Sequence, residues 1–397
     1  MKDRIYLDNA ATTNLSAEVL NAMLPVFNNT FGNASSIHSF GKESANLLEK
    51  SRATIAESIN ANSGEVYFTS SGSEANTWAI IGIANANRDK GNHIITSKIE
   101  HSSVLKACKY LEQNGFEVTY LNVDRNGFVN FAEYLRALKS TTILVSIMSA
   151  NNELGTIQNL KAIAQTAHEK DVIFHTDAVQ LYGNMEIDVV DLGIDAMTIS
   201  AHKIYGPNGI GALYLSKNVK IEPIIFGENE EKNKRGGTAD VASVVGFAKA
   251  SEIAMRDMRS NNYKLRNLSE YFVTKLIESV ENVTINANTR QKLPHIVSAT
   301  FTGVDGESLL LKLDLNGVAV SNGVVSAKNL LSVSHVIKAI GLNNDDARST
   351  IRFSFGKNNS YEDIDKAISI VQKSVQELRE YSSTYGMKTR KRKGDSK

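Results

Sequence analysis

The stretch TISAHKIYGPNGIGALY (residues 198–214) decides how the chain is read. Its apolar run stops at Ser200, then His202 and Lys203 appear, and a loop with Gly206, Pro207, Gly209 and Gly211 follows. That density of glycine and proline does not continue a helix, so the segment reads as strand, loop, strand. A lysine placed at such a strand end is either a surface residue or a buried amine with a task.

Upstream, the same β-rich signal recurs in VYFTS (66–70), HIITS (93–97), EVTYLNV (117–123), TTILVSIM (141–148), DVIFHTDA (171–178) and AMTISA (196–201), with GALYLS (211–216) closing the series. Helical patterns such as SVLKACKYLEQ, FAEYLRALK and LKAIAQTAHEK separate most of them. Strands alternating with helices predict an α/β domain with a mainly parallel seven-stranded sheet covered on both faces. We place this large domain at residues 15–255. Residues 1–14 and 256–385 are expected to form a smaller α+β unit, with strands in HIVSATFTG, GVAVSNG and STIRFSFG and a last helix opened by a Ser360/Asp363 capping box. The basic tail 386–397 is expected to be disordered.

Bulk properties narrow the function classes. The chain has 397 residues, 44 basic against 43 acidic, and a net charge of +1. That balance argues against a nucleic-acid partner. No apolar run reaches membrane-span length, and the N-terminus shows no apolar signal region, so a cytoplasmic location is expected. With one cysteine, Cys108, neither an internal disulfide framework nor a multi-cysteine metal site is possible; no metal is expected.

Four features fall where strands should end, which is where ligands bind in open parallel sheets. FTSSGSEAN (68–76) is a strand, a Ser/Gly turn and a helix start, able to hold an anion. KIEHSSV (98–104) puts His101 just past a strand. FHTDAVQ (174–180) ends an apolar strand on Asp177, a costly place for a carboxylate without a partner. The fourth is Ser200, His202 and Lys203. Asp177 and Lys203 end successive strands, so one crossover brings them to one sheet edge. A buried carboxylate, an amine, a phosphate turn and a stacking ring suit pyridoxal phosphate; on spacing alone, an NAD or sugar-phosphate enzyme fits too.

Further motifs narrow this: YLDNAATT (6–13), FGNASSIHSFG (31–41), SIMSANNELGTIQ (146–158), RGGT (235–238) and STIRFSFG (349–356). Together with the four features they closely resemble the cysteine desulfurases, a fold-type I, class V branch of the pyridoxal-phosphate enzymes, from residue 6 to about 380. The resemblance implies that Lys203 carries the cofactor aldehyde as an imine, Asp177 pairs with the pyridine nitrogen, His101 stacks on the ring and Gln180 approaches its phenolic oxygen. It further implies that Gly72, Ser73, Ser200 and His202 hold the phosphate, and that Thr238 reaches the phosphate of a neighbouring subunit, hence a homodimer. Asn152 and Arg352 match the residues that hold the α-carboxylate of a small amino-acid substrate.

The match departs at one place. The family carries a nucleophilic cysteine in a mobile loop; the aligned stretch here is SNGVVSAKNLLSVSHV (321–336), with Ser326 at that position. A thiol ionises near about 8.5 and is readily lowered, whereas a serine hydroxyl ionises far above that and carries no persulfide. Val324, Val325 and Lys328 depart as well, and FGENEEKNKRGGT (226–238) replaces a Gly-rich stretch; two divergent loops favour a natural variant over a single designed change. Cys108, on the apolar side of a helix, reads as structural. The expected activity is therefore a lyase, aminotransferase or racemase-like reaction on cysteine or a related small amino acid. The alternatives are a true desulfurase using a partner thiol or an engineered Ser326 and passing sulfur to an acceptor protein, and a non-catalytic scaffold.

Overall fold

The structure, a computed structural model, describes residues 4–228, 230–322 and 333–381. In chain order β1 (Ile5–Tyr6), which packs with the second core, comes first; the large layer begins with α1 (Ala17–Asn29), α2 (Ser39–Glu57), β2 (Val66–Thr69) and α3 (Gly72–Ala86). It continues with β3 (His93–Ser97), α4 (Ser102–Gln113), β4 (Glu117–Leu121), α5 (Phe131–Ala137), β5 (Thr142–Ser146) and α6 (Leu160–His168). Then come β6 (Ile173–Asp177), β7 (Ala196–Ser200) and β8 (Gly211–Leu215).

Among the described residues, the seven strands expected from the sequence form one sheet in the order β2-β8-β7-β6-β5-β3-β4. The pairs from β4 to β7 are parallel, while β8 runs antiparallel between β7 and β2. Alternate side chains along each strand feed opposite layers. Phe68, Ile95, Val145 and Phe174 pack with Ile55, Ile163 and Phe247 on one face. Tyr67, Ile94 and Leu144 pack with Trp78, Val104 and Leu111 on the other. With both faces covered, the central strands are buried along their length and read as mainly apolar runs, whereas the edge strand β4 is only partly buried.

The long helix α7 (Val241–Ser279) leaves this layer and enters the next; the expected boundary at residue 255 falls inside it. Its first half contributes Val244, Phe247 and Ile253 to the sheet core, and its second half contributes Leu265, Leu268 and Phe272 to a separate core. Around that second core lie β9 (Val283–Asn286), β10 (Ile296–Phe301), α8 (Gly306–Leu315), β11 (Val318–Ala319), α9 (His335–Ala339), α10 (Asn344–Arg348), β12 (Thr350–Ser354) and α11 (Tyr361–Glu380). β12, β10 and β9 make an antiparallel sheet. The segment GVAVSNG does supply a strand, β11, but it pairs with β1 near the N-terminus and not with this sheet. Ser360 and Asp363 form the expected capping box on α11. The tail beyond residue 381 lies outside the described residues.

Candidate active site

A cavity of about 410 Å³ opens at the carboxyl ends of the parallel strands, a volume typical of small-molecule sites. Asp177 is the last residue of β6, Ser200 the last of β7, and Lys203 ends the single turn that follows. His101 caps α4 just beyond β3. Gly72 and Ser73 begin α3, whose cap Ser71 accepts the Glu74 N–H. From the distal side come Asn152 and, on β12, Arg352. All of these line the one cavity, with Gln180, Ser200 and His202.

Asp177 is buried, and its carboxylate accepts from Asn76 Nδ2 at 2.7 Å and from the Val179 N–H at 3.0 Å. Neither donor is charged. A buried carboxylate so placed suits a cationic ring nitrogen. The Lys203 amine donates to the carbonyls of Ala10 and Ala11, each at 2.6 Å. Burial, then the Arg352 charge, lowers it to about 8, against the opposing pull of Asp177 and Asp8.

His101 Nδ1 accepts the Ser103 N–H at 3.2 Å and lies 2.8 Å from the Ser103 hydroxyl; this bonding assigns the ring proton to Nε2. Burial holds the imidazole below its ordinary range although Asp177 pulls it up. His202 is pushed down to about 4 by burial and by Lys203, with Nδ1 3.1 Å from the Thr12 hydroxyl. Gln180 donates to the Ala10 carbonyl at 2.9 Å.

Arg352 is buried, donating from Nη1 to the Asn152 carbonyl at 2.9 Å and from Nη2 to Asp8 at 2.6 Å, while its Nε is buried with no partner. The turn before α3 is closely built: a Cβ on Gly72 would meet Val179 Cγ2 at 2.9 Å and Ser200 Cβ at 3.5 Å. A buried carboxylate, an amine depressed by burial, a helix N-terminus and an incompletely bonded guanidinium fit the charge pattern of pyridoxal phosphate with an amino acid's carboxylate.

Thr238 lines a neighbouring cavity and not this one. Ser326, with Val324, Val325 and Lys328, lies outside the described residues. The segment's flanks are anchored: Ser321 exchanges backbone bonds with Arg352, and the Ser334 hydroxyl donates to buried Glu153 at 2.6 Å. Cys108, on the buried face of α4, lies in the apolar layer, and burial, with Glu100 and Glu112, pushes its thiol far up.

Sequence reasoning missed Asn76 and Ser103. Asn76 Nδ2 also reaches the Ser103 hydroxyl at 3.0 Å, so one amide ties Asp177 to the group that orients His101. Both lie inside the motifs FTSSGSEAN and KIEHSSV, whose polar content was the available signal. It also missed Glu100, fully buried, raised to about 8 and accepting from the Ser97 hydroxyl and the Met148 N–H. Among the described residues no group of three or more His, Cys, Asp or Glu could hold a metal ion, and no helix is long and apolar enough to cross a membrane.

Residues 5–367 match the family model described as aminotransferase class-V. The chain is 45% identical over 382 residues to the cysteine desulfurase IscS of Dictyoglomus turgidum, covering 96% of this chain and 97% of that one. It is 44% identical to the cysteine desulfurase IscS of Clostridium botulinum, with 96% and 97% covered. Among solved structures, a NifS-like protein superposes with a TM-score of 0.89 at 33% identity, over 94% of this chain and all of its own. A structure described as SspA in complex with cysteine does so at 0.79 and 35%, over 88% of this chain and 98% of that one. With the donor set above, these matches place the chain in the class V aminotransferases, enzymes that use pyridoxal phosphate, and within them in the cysteine desulfurase family.

Proposed function

We propose that the protein acts on cysteine or a related small amino acid and does so without a persulfide-carrying cysteine of its own. The observation that carries this reading is that its one cysteine, Cys108, is buried away from the cavity with its thiol pushed up; the family resemblance in turn puts Ser326 where a nucleophilic cysteine is expected. The complex of SspA with cysteine supports the substrate class.

Bound pyridoxal phosphate supplies an electron sink for the pair left when a substrate's Cα–H bond breaks. Lys203 would hold its aldehyde, Asp177 the ring nitrogen's proton, Gln180 the phenolic oxygen and His101 the ring face. Gly72, Ser73, Ser200 and His202 would hold the phosphate. Arg352, with Asn152, would clamp the substrate carboxylate, fixing the Cα–H toward Lys203. An amine lowered to about 8 is well matched to removing and returning that proton near neutrality. No thiol on this chain stands ready to take sulfur, so either the β-substituent leaves with the Cβ–S electron pair, as hydrosulfide from cysteine, while the pair from the Cα–H bond forms a Cα=Cβ bond, or the proton returns; β-elimination, transamination and racemisation are the outcomes open to these residues. Thr238 lies outside its own chain's cavity, which supports service to the cavity of a second copy and hence a homodimer.

A spectral titration of the cofactor-loaded protein with a panel of amino acids, followed by product analysis, tests the reading. The cofactor band is expected to shift with cysteine-like substrates and to be lost in Lys203→Ala. A wild-type protein unable to take up the cofactor would overturn it. The relatives' names favour a second reading, sulfur transfer to a thiol on a partner protein. Sulfide or persulfide yield with and without an added thiol acceptor, compared between wild type and Ser326→Cys, separates the two; a wild type that persulfidates an acceptor as well as Ser326→Cys does establishes the second.

A further inference from the structure

The junction of β2 with the first turn of α3 is a wall between two cavities. Gly72 and Ser73 face the Lys203 cavity, whereas Ser70 and Arg235 line the neighbouring one of about 440 Å³. Glu74 sits in this turn. Its carboxylate accepts from the Ser70 N–H at 2.7 Å and from the Ser70 hydroxyl. Arg235 grips it with Nε at 2.7 Å and Nη2 at 3.1 Å, both side chains being mostly buried. Although burial works against the charged form, the hydrogen bonds of Arg235 and Ser70 hold the Glu74 carboxyl below its usual range. An anionic side chain in a first turn suits a helix with nothing bound at its end, but its charge opposes a second anion at the same helix end.

Arg235 is delivered by a segment in an uncommon conformation. Glu231, Lys232 and Asn233 have φ of 44°, 59° and 62°, a left-handed run without glycine, and such conformations persist only where surrounding contacts over-determine them. Here they do. Arg52 gives Glu231 two hydrogen bonds at 2.6 and 2.9 Å, and the Phe68 N–H gives a third at 2.9 Å. Lys232 Nζ donates to the Gly64 carbonyl at 3.0 Å.

We propose that Arg235 is a positioning residue for the phosphate site: it neutralises Glu74 from the far side of the wall, so that the N-terminus of α3 accepts a dianion. This rests on the reading of the Lys203 cavity as the pyridoxal-phosphate site. The left-handed run, held by the contacts of Glu231 and Lys232, carries the chain to Arg235 and so to one guanidinium behind the cradle.

The test titrates apoprotein with pyridoxal phosphate, with pyridoxal, which lacks the phosphate, and with inorganic phosphate as competitor. Arg235→Gln is expected to weaken pyridoxal phosphate about tenfold, and phosphate competition with it, while leaving pyridoxal within about twofold of wild type. The double variant Glu74→Gln/Arg235→Gln is expected to return to within about twofold of wild type, because the repulsion is gone. Glu74→Gln alone binds pyridoxal phosphate at least as tightly as wild type, which keeps the proposal testable should Arg235→Gln fold poorly. A double variant as weak as the single one, a parallel loss of pyridoxal binding, or an unchanged Arg235→Gln overturns the proposal. Failure of the wild type to take up pyridoxal phosphate overturns instead the reading on which it rests.

Discussion

Lys203 is held by two backbone carbonyls and not by a carboxylate, so its charge has weak local support. In cofactor-free protein its acylation is expected to rise through about pH 8, well below an ordinary lysine, and to vanish in Lys203→Ala; mass spectrometry of peptides labelled across a pH series reads this. The unfolded chain binds the proton more tightly, so the apoprotein should gain stability from about pH 8 to 10.5, and Lys203→Met should lack that part of the slope. Glu100 has the opposite sign. Its folded value of about 8 exceeds its unfolded value. Its contribution is therefore complete below about 4.3 and is lost as pH rises through about 8. Melting temperature against pH should decline less steeply in Glu100→Gln. Asn76 gives its amide hydrogens to Ser103 and Asp177, leaving its Oδ1 buried without a partner. Asn76→Ala is expected to cost roughly 1–3 kcal/mol in denaturant unfolding through the unsatisfied Asp177 oxygen.

At the scale of elements, the strands of the large sheet were legible because burial on both faces demands continuous apolar runs, and the turn residues after them mark their ends. The antiparallel direction of β8 was not legible, since its composition matches that of its parallel neighbours. VTIN of β9 is short and half polar, and its pairing with β10 is a tertiary fact. The start of α3 was read from its Ser/Gly turn. The crowding behind Gly72 needs coordinates, and it carries a prediction: Gly72→Ala presses on Val179. Cofactor affinity should fall in the same apoprotein titration, with little change in melting temperature, because alanine is the better helix former.

Over the whole molecule, the site draws on the N-terminal segment, the ends of four strands and a strand of the second core. Lys203, Asp177 and His101 were visible as polar residues punctuating apolar runs. The roles of Arg352 and Asn152 came only through the family resemblance, because nothing local marks them. Asp8 as the partner of Arg352 depends on the segment after β1 bridging to β12, Asp8 to Ser354, from opposite ends of the chain. If Thr238 serves a second copy, mixing Lys203→Ala and Thr238→Val subunits should regenerate activity that neither homo-oligomer has, since one cavity in each mixed pair is then intact. The 39 residues of α7 form an unbroken beam, roughly 58 Å long. The same beam grips the sheet carrying Lys203 through Phe247 and the strand carrying Arg352 through Phe272 against Phe353. If the beam holds the two jaws like a caliper, substrates are sorted by reach: a β-amino acid, whose carboxylate sits one carbon further from the amine, is expected to leave the cofactor band unshifted in the titration that detects cysteine.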